Sequence, residues 1–282
     1  MSLSVVIITH NEEANLARTL KSVRPFVSDS KGEIVIVDSG STDRTVEIAK
    51  SFGAKVFVEE WKGYAAQKNS AVDKASGDWI LSLDADEEVS EDLAAHIQRA
   101  STDHDYGPFE WALASGFTTR FEDFRGGVGP LPSAFWLTRR NYFLGRWLRH
   151  GGFYPDPKLR LFARGSARFD DSRAVHEDAQ TNRKTAEIKI GALIHHSYPT
   201  LSDYIEHMNR YSSLGAEMVV ADGKVRFSVI NIVLRPLATF IYNYFFRLGF
   251  LDGREGLLLH LYHGVYVSWK YAKAWELSRN QP

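Results

Sequence analysis

The sequence contains no cysteine among its 282 residues. This excludes disulfide bridges, thiolate nucleophiles and zinc or iron–sulfur sites held by cysteine, and it fits a protein of a reducing compartment. Excess positive charge is also missing, since 34 Lys and Arg stand against 35 Asp and Glu, for a net charge of −1. A chain without a positive field has no general means of holding nucleic acid, so we expect no nucleic-acid partner.

Long apolar runs are missing too. The longest charge-free run near the C-terminus covers 14 residues, 256–269, whereas a transmembrane helix needs ~20 apolar residues. The short apolar run at residues 4–9 lacks the basic residues and the cleavage site of a signal peptide, so it is interpreted as a strand. We therefore expect neither a spanning helix nor a secretory leader.

Aromatic residues are scarce in the first part of the chain and abundant in the last. Residues 1–100 contain six of the 36, while residues 226–275 contain twelve. Between residues 222 and 282, eight Lys and Arg stand against four Asp and Glu. Basic, aromatic segments too short to span a bilayer are typical of helices that lie in a membrane interface. We expect residues 225–275 to meet a membrane surface; the alternative is packing on the rest of the chain or on a second subunit.

The first hundred residues alternate short apolar runs with helical periodicity. Apolar runs predict four strands, at residues 4–9, 33–38, 54–58 and 78–83. Apolar residues at three-to-four spacing predict three helices, at residues 14–23, 43–52 and 64–75. This alternation indicates βαβ units and a parallel sheet. Later, strand-like pieces at 134–138 and 158–163 extend the sheet, and a helix is predicted at 202–220.

Polar and acidic clusters follow three of the predicted strands. They occupy residues 9–12 (THNE), 38–43 (DSGSTD) and 84–88 (DADEE). Because the carboxyl ends of parallel strands form the ligand-binding edge of such a sheet, we expect one shared cleft. Carboxylates at Asp84 and Asp86 suit Mg²⁺ or Mn²⁺ carried in with a diphosphate. The alternative is an acidic helix N-terminus favoured by the helix dipole.

Asp38 ends a hydrophobic strand, where its carboxylate could accept hydrogen bonds from a ribose or a base. The alternative is a plain strand-to-helix turn capped by Asp43. That alternative explains Thr42 and Asp43 but gives no reason for Asp38.

Together these motifs resemble family 2 glycosyltransferases with the GT-A fold. The family motifs are VVIITHNE (5–12), IVDSGSTD (36–43) and DADE (84–87). Further pieces are similar to the branch that adds sugars to the lipopolysaccharide inner core, the heptose β-glucosyltransferase type: WKGY (61–64), QKN (67–69), KLRLF (158–162), VHE (175–177), His195 with Ser197-Tyr198, and Tyr211-Ser212.

The resemblance implies an α/β protein with a GT-A (nucleotide-diphospho-sugar transferase), Rossmann-like, mostly parallel sheet and a C-terminal helical extension. It implies a glycosyltransferase domain at 1–222, with the nucleotide-sugar donor half at 1–101 and the acceptor half at 102–222. Residues 223–282 would form an aromatic, basic helical region for membrane association or dimerisation.

The resemblance also implies roles for single residues. Asp38 would meet the uracil or ribose of the donor, and Lys68 would approach the donor from the third helix. The implied donor-binding set is Thr9, Asn11, Glu12, Asp38, Ser39, Gly40, Lys68, Asp84 and Arg160. Asp86 would ligate the divalent cation, with Asp84 beside it. His195 would complete the metal or diphosphate site, with His196 as the alternative.

Two adjacent acids compete for the role of general base, Glu177 and Asp178. The family's usual Glu-Asp motif favours Asp178, whereas the Val-His-Glu of the lipopolysaccharide branch favours Glu177. Adjacent residues on an extended segment face opposite ways, so one of them points into the cleft. We slightly favour Glu177; a solvated charged loop is the alternative to both.

Without cysteine or a recognisable serine nucleophile, a single displacement is the simplest mechanism. We expect inverting transfer of a sugar from a nucleotide diphosphate sugar, a UDP-linked hexose, to a hydroxyl of a cell-envelope glycolipid such as lipopolysaccharide core. The expected location is cytoplasmic, peripheral on the inner membrane, and a homodimer is left open. The alternatives are a polyprenyl-phosphate or other polysaccharide glycosyltransferase and, outside enzymes, a membrane-associated nucleotide-sugar binding module.

The middle of the chain is basic and interleaved with aromatic residues. The basic residues are Arg120, Arg125, Arg139, Arg140, Arg146, Arg149 and His150. An anionic acceptor, such as a phosphorylated or Kdo-bearing lipid core, would suit this segment. The alternative is an ordinary solvated face.

Overall fold

The computed structural model of the chain describes residues 2–27, 32–102, 132–171, 178–223 and 227–279, with residues 98–102 through their backbone only. The first part contains four strands, β1 (Leu3–Thr9), β2 (Gly32–Asp38), β3 (Lys55–Val58) and β4 (Trp79–Asp84). They alternate with three helices, α1 (Leu16–Val23), α2 (Thr45–Ser51) and α3 (Tyr64–Asp73). The strands and helices predicted for this region are thus confirmed.

The parallel register brings the carboxyl ends of three strands side by side. β1 pairs with β2 on one side and with β4 on the other, which sets Thr9 opposite Asp38 and Ile8 opposite Asp84. The Val and Ile residues that fill these strands are buried on both faces of the sheet, as is typical of parallel strands. The residues that follow Thr9, Asp38 and Asp84 therefore leave the sheet at one edge.

The remaining strands add antiparallel pairings to the sheet. They are β5 (Glu87–Val89), β6 (Ala134–Phe143), β7 (Arg146–Trp147), β8 (Asp156–Ala163) and β11 (Thr185–Tyr198). The sheet order is β3-β2-β1-β4-β8-β6-β11-β5, with β7 on β6. Two short strands, β9 (Arg168–Phe169) and β10 (Ala179–Gln180), pair separately, and α4 (Glu91–Thr102) follows β5.

Two of these antiparallel strands contain the predicted pieces at 134–138 and 158–163, which lie in β6 and β8. The 14-residue β11 is not predicted by the sequence pattern. It pairs with β5 so that His195 lies opposite Glu87. β11 thereby brings a histidine from late in the chain to the acidic cluster after β4.

Two apolar clusters cover the two faces of the sheet. Val5 and Ile7 of β1 pack with Leu16 and Leu20 of α1 on one face. Val6, between them in sequence, belongs to the cluster on the other face, which includes residues of α3. This alternation follows from the two-residue period of a strand, and it holds β1 in the register that positions the site.

The chain divides into two compact units, residues 1–139 with 156–195, and residues 140–155 with 196–282. The second unit contains α5 (Leu201–Ala221), α6 (Arg235–Ile241) and α7 (Gly253–Arg279), with π-helical turns at Ile230–Leu234 and Tyr242–Phe246. Its core includes Phe143, Leu148, Tyr204 and Leu259. The helix predicted at 202–220 is confirmed, whereas the predicted division of function at residue 222 stays a prediction.

The C-terminal helices leave many large apolar side chains exposed. These residues are Phe227, Val229, Ile230, Val233, Leu234, Leu237, Ile241, Tyr242, Phe245, Phe246, Leu248, Phe250 and Leu251. In the parts of the chain that the structure describes, no helix has the length and apolarity needed to cross a membrane.

Candidate active site at the carboxyl edge of the sheet

The turn after β2 is organised by the carboxylate of Asp38. This side chain is buried, and it accepts hydrogen bonds from Thr9 Oγ1 at 2.8 Å, Gly40 N at 3.0 Å and Ser41 N at 2.8 Å. Gly40 has a φ of +79°, a conformation that glycine adopts without strain. Ser39 Oγ accepts from Gln67 Nε2 at 3.2 Å. Asp38 thus shapes the loop that faces the cleft, and its predicted contact with a ribose or base stays a prediction.

The loop after β1 is fastened to the loop after β2. Asn11, at a φ of +55°, donates its backbone N–H to Ser41 Oγ at 2.8 Å and accepts from Thr42 N at 2.8 Å. Glu12 donates its backbone N–H to Thr45 Oγ1 at 2.7 Å. Burial raises the pKa of the Glu12 carboxyl; a hydrogen bond from Asn15 opposes this, and the negative charges of Asp86, Asp43 and Asp84 add to it. Glu12 therefore lies in the electrostatic reach of the acids after β4.

A charged cluster of six residues lies beneath this edge, and its members come from α3 and from β4, β5, β6 and β8. We name as the charged cluster Lys68, Asp84, Glu87, Arg139, Asp156 and Arg160. Its three cations and three carboxylates balance in charge. It joins two residues predicted for donor binding, Lys68 and Arg160, through Asp84.

Asp84 holds both of those cations. Its Oδ1 lies 2.8 Å from Lys68 Nζ, and its Oδ2 accepts from Arg160 Nη2. Burial alone would raise the pKa of Asp84, but Arg160 and Lys68 hold the pKa of this carboxyl well below its usual range. Lys68 and Arg160 are themselves about 5% exposed or less, so their positions are set by these ion pairs.

Glu87 is the centre of the charged cluster, and sequence reasoning assigned it no role. It is fully buried, and its Oε1 accepts from Arg160 Nη2 at 2.9 Å and from Arg139 Nη1 at 3.1 Å. Its Oε2 accepts from the backbone N–H of Asp84 at 3.0 Å, which fixes the turn that carries the predicted metal ligands. In the sequence, Glu87 was marked only by its place in the acidic motif DADEE. Its pairing with arginines from distant strands, which distinguishes it from the neighbouring acids, appears only in the structure.

Asp86 and His195, the two residues predicted to hold the metal, lie together, with 3.2 Å between Asp86 Oδ2 and His195 Nε2. Burial would raise the pKa of Asp86, but the charge and hydrogen bond of His195 outweigh it, so the pKa lies below its ordinary value. His195, not His196, is the histidine that contacts Asp86; the His196 ring stacks on Tyr142 at 5.6 Å.

A carboxylate is a ligand of both Mn²⁺ and Mg²⁺, whereas an imidazole suits a transition metal, so Asp86 with His195 fits Mn²⁺ better than Mg²⁺. Among the residues that the structure describes, no group of three His, Asp or Glu could enclose a metal ion. A cation at Asp86 would therefore need further ligands from substrate or water, as Mg²⁺ sites commonly have. Asp84 would have to exchange part of its pairing with Lys68 and Arg160 to join them.

Of the two candidate bases, Glu177 lies outside the described residues. Asp178 is about half exposed, and its Oδ1 lies 3.4 Å from Lys158 Nζ. Lys158 also lies 3.5 Å from Asp156 of the charged cluster. Asp178 therefore sits next to the charged cluster, and the choice between the two acids stays open.

The basic residues of the middle segment have different partners in the structure, and the predicted contact of this segment with an anionic acceptor stays a prediction. Arg139 pairs with Glu87 and Asp156, Arg146 pairs with Glu255 at 3.6 Å, and His150 lies 2.9 Å from Asp252. Each of these three side chains thus lies beside a carboxylate of the protein itself. Arg120 and Arg125 lie outside the described residues. The guanidinium groups of Arg140 and Arg149 stack on Trp147 instead.

Comparison with known proteins identifies the class. Residues 4–168, more than half of the chain, match glycosyl transferase family 2, and the chain belongs to this family. The lipopolysaccharide core biosynthesis glycosyltransferase LpsC of Rhizobium meliloti (strain 1021) is 29% identical over 98% of this chain and 93% of its own length. The low-salt glycan biosynthesis hexosyltransferase Agl6 of Haloferax volcanii is 42% identical over 87 residues, which cover 30% of this chain and 21% of that protein.

Solved structures show a weaker likeness. The mannosyltransferase PcManGT from Pyrobaculum calidifontis, in complex with GDP-Man and Mn²⁺, is 14% identical with a TM-score of 0.49, over 99% of this chain and 88% of that one. TarS of S. aureus in complex with UDP-GlcNAc is 15% identical with a TM-score of 0.47, over 99% of this chain and 92% of that one.

The family and the observed sheet together confirm the GT-A fold class and the identification of the chain as a glycosyltransferase. The parallel strands β3-β2-β1-β4 are the Rossmann-like part predicted from the sequence, and β8, β6, β11 and β5 make the whole sheet mixed.

Proposed function

We propose that the protein transfers a hexose, with inversion, from a UDP-sugar to a hydroxyl of a cell-envelope glycolipid such as lipopolysaccharide core. The observation that carries this proposal is the Asp86–His195 pair beside the charged cluster at the carboxyl edge of the sheet. Membership of the family and the lipopolysaccharide role in the name of LpsC support the acceptor class.

On the donor side, Lys68 and Arg160 are the cations placed to meet the diphosphate. Both are held by Asp84, so they are ordered before the donor arrives and lose little freedom when it binds. Asp86 and His195 would hold a divalent cation, which supplies charge stabilisation to the leaving diphosphate. The loops at Asn11 and Asp38 would line the nucleoside part of the cleft.

On the acceptor side, Glu177 or Asp178 takes the proton from the attacking hydroxyl. The hydroxyl oxygen then bonds to the anomeric carbon on the face opposite the diphosphate, and the bond from that carbon to the diphosphate oxygen breaks. Asp178 is about half exposed and lies 3.4 Å from Lys158, so its carboxylate is accessible to an acceptor hydroxyl. We retain the slight preference for Glu177.

Transfer is tested by incubating the protein with a panel of nucleotide sugars and extracted lipopolysaccharide core acceptors, with and without Mn²⁺. We expect a UDP-hexose to be consumed, a product of inverted anomeric configuration, and a loss of roughly hundredfold or more in Asp86→Ala. Asp73→Ala is the matched control, because Asp73 is an exposed acid of the same unit that pairs with the exposed Arg168. Full activity of Asp86→Ala would refute the metal assignment, and retention of configuration would refute the mechanism.

The two candidate bases are separated by Glu177→Gln and Asp178→Asn. Loss of a general base lowers the rate by about 10²–10⁴-fold, so one variant is expected to fall by that factor and the other to fall much less. Full activity in both variants would discard both residues. Transfer to polyprenyl phosphate but not to lipopolysaccharide core would favour the alternative acceptor.

The exposed apolar side chains of the C-terminal helices support a place on the cytoplasmic face of the inner membrane. They alternate along the sequence with basic residues, among them Arg235, Arg247 and Arg254, so an anionic bilayer interface would complement both the apolarity and the positive charge of this segment. Phe246 is 75% exposed and Val229 is 65% exposed, values that leave most of each side chain available to lipid.

Membrane association is tested by co-sedimentation with vesicles of phosphatidylcholine and phosphatidylglycerol. The double variant Leu237→Ser with Phe246→Ser is expected to lower the partition coefficient about tenfold or more, because each substitution removes apolar area that would be buried in the membrane interface. Val58→Ser is the control, since Val58 is equally exposed but lies in the other unit. Unchanged partitioning, together with a changed oligomeric state, would overturn the proposal in favour of a contact between subunits.

A further inference from the structure

Two arginines of the second unit lie opposite each other on a hairpin. In the β6–β7 hairpin Tyr142 pairs with Trp147, and Leu148 N donates to Asn141 O at 3.0 Å. The same register sets Arg140 opposite Arg149, although like charges directly across a pair of strands repel each other. A protein keeps such a pair only when something compensates for the repulsion.

Trp147 provides part of that compensation. The Cζ of Arg140 lies 4.7 Å and the Cζ of Arg149 4.2 Å from the centre of the Trp147 ring, so both guanidinium groups are held against one indole. The two Cζ atoms are consequently at most about 9 Å apart, within the Debye length of about 10 Å at 0.1 M ionic strength. Stacking fixes both groups in place but does not remove their charge.

No carboxylate of the described chain is paired with either guanidinium group. Asp252 is the nearby acid, but its oxygens accept from the backbone N–H groups of Arg149 and His150 and from His150 Nδ1, at 2.8–3.2 Å. Asp252 is buried, so it anchors the backbone of this loop while the Arg149 side chain extends onto Trp147. Arg146, the next cation of the hairpin, has its own partner in Glu255.

The same face of the hairpin carries aromatic rings suited to a saccharide. Tyr142 lies two residues after Arg140 on β6 and stacks with His196, and Trp147 packs edge-to-face with Tyr154 at 5.2 Å between ring centres. Aromatic faces beside planar cations are the groups with which proteins hold a sugar that bears a phosphate or a carboxylate, because guanidinium binds such anions in a bidentate manner.

We infer that Arg140, Trp147 and Arg149 form an anion subsite for a phosphate or carboxylate group on the acceptor saccharide. This inference rests on the proposed function, in that the acceptor is a glycan, and it adds that the acceptor carries an anionic group. The bound anion offsets the remaining repulsion between the guanidinium groups of Arg140 and Arg149, which stacking on Trp147 offsets only in part. The subsite therefore binds charged acceptors in preference to neutral ones.

The subsite is tested by isothermal titration of the full chain with glucose 6-phosphate, with glucose as the neutral control. We expect measurable binding of the phosphate sugar only, weakened about tenfold to hundredfold in Arg140→Gln and in Arg149→Gln. Arg183→Gln, at an exposed arginine of the other unit, should bind like the wild type. Arg140→Lys keeps the charge but loses the planar group, so its affinity should lie between those of the wild type and Arg140→Gln.

Several results would overturn the inference. If glucose and glucose 6-phosphate bind with equal affinity, the site does not recognise an anion. If the wild type, Arg140→Gln, Arg149→Gln and Arg140→Lys all bind glucose 6-phosphate with the same affinity, these arginines do not bind the phosphate group. Loss of phosphatidylglycerol vesicle binding in these variants, with sugar phosphate binding unaffected, assigns the arginines to lipid headgroups instead. Arginine-dependent binding of the sugar phosphate without any consumption of a nucleotide sugar leaves the subsite standing and refutes the proposed function alone.

Discussion

Replacing Glu87 with glutamine removes the central negative charge of a buried, charge-balanced cluster. Glu87 is fully buried and faces Arg160 at 2.9 Å and Arg139 at 3.1 Å. At an effective dielectric constant of about 20, Coulomb's law gives about 5–6 kcal/mol of attraction for each such contact. The variant no longer needs to desolvate a carboxylate, which offsets several kcal/mol of that loss. We therefore expect Glu87→Gln to lower the free energy of unfolding by about 3–5 kcal/mol, the range measured when one partner of a buried ion pair is removed.

The measurement is urea denaturation at pH 7 followed by circular dichroism, with the free energy of unfolding extrapolated to water. Asp73→Asn is the matched control, because Asp73 pairs with Arg168 on the surface, where both side chains are more than half exposed. An exposed pair contributes about 1 kcal/mol or less, so this variant should stay close to the wild type. If Glu87→Gln and Asp73→Asn lose the same small amount, the charged cluster does not hold this edge of the sheet together.

Two further predictions concern the second unit. Burial lowers the pKa of His260 to about 4, and the charges of His263 and Arg247 outweigh the opposing charge of Asp252. Between pH 7 and pH 5 the unfolded chain therefore binds a proton at this histidine that the folded chain does not bind. The free energy of unfolding should fall by about 2 kcal/mol over this pH range. Thermal denaturation at both pH values should show this loss of stability, and the loss should be smaller in His260→Phe. An equal loss in His260→Phe would contradict the assignment of the pH dependence to His260. A Cβ at Gly151 would lie 2.1 Å from the His260 ring at a φ of +66°, whereas one at Gly145, with a φ of +80°, meets nothing within 4 Å. Gly151→Ala should therefore destabilise the protein by roughly 2 kcal/mol more than Gly145→Ala, and equal melting temperatures would show that the His260 ring moves aside.

The parallel half of the sheet was predictable because its information is local. Runs such as residues 4–9 and 33–38 are apolar throughout, and the helices between them repeat at three-to-four spacing. The rule that parallel strands end at one edge then brings Thr9, Asp38 and Asp84 together without any knowledge of the coordinates. The observed register, with Thr9 opposite Asp38 and Ile8 opposite Asp84, is the geometry which that rule implies.

The half of the sheet formed by β8, β6, β11 and β5 was only partly predictable, because its strands pair with partners distant in sequence. β11 contains charged, glycine and apolar residues in an irregular order, so its sequence pattern does not predict a 14-residue strand. Its pairing with β5 nevertheless decides that His195 contacts Asp86, since this register sets His195 opposite Glu87. A slip of one residue would have presented His196 instead.

The sequence by itself determined the family, the order of the first strands and helices, and the acidic residues that line the cleft edge. Each of these depends on short-range periodicity or on a motif of a few adjacent residues. Only the tertiary structure decided which charges are neutralised: Glu87 and Arg139 become a buried pair, Asp84 holds Lys68 and Arg160, and Arg140 and Arg149 keep their charge. The physical reason is that a side chain's charge acts over a few ångströms in space, and strands far apart in the chain determine which groups come that close.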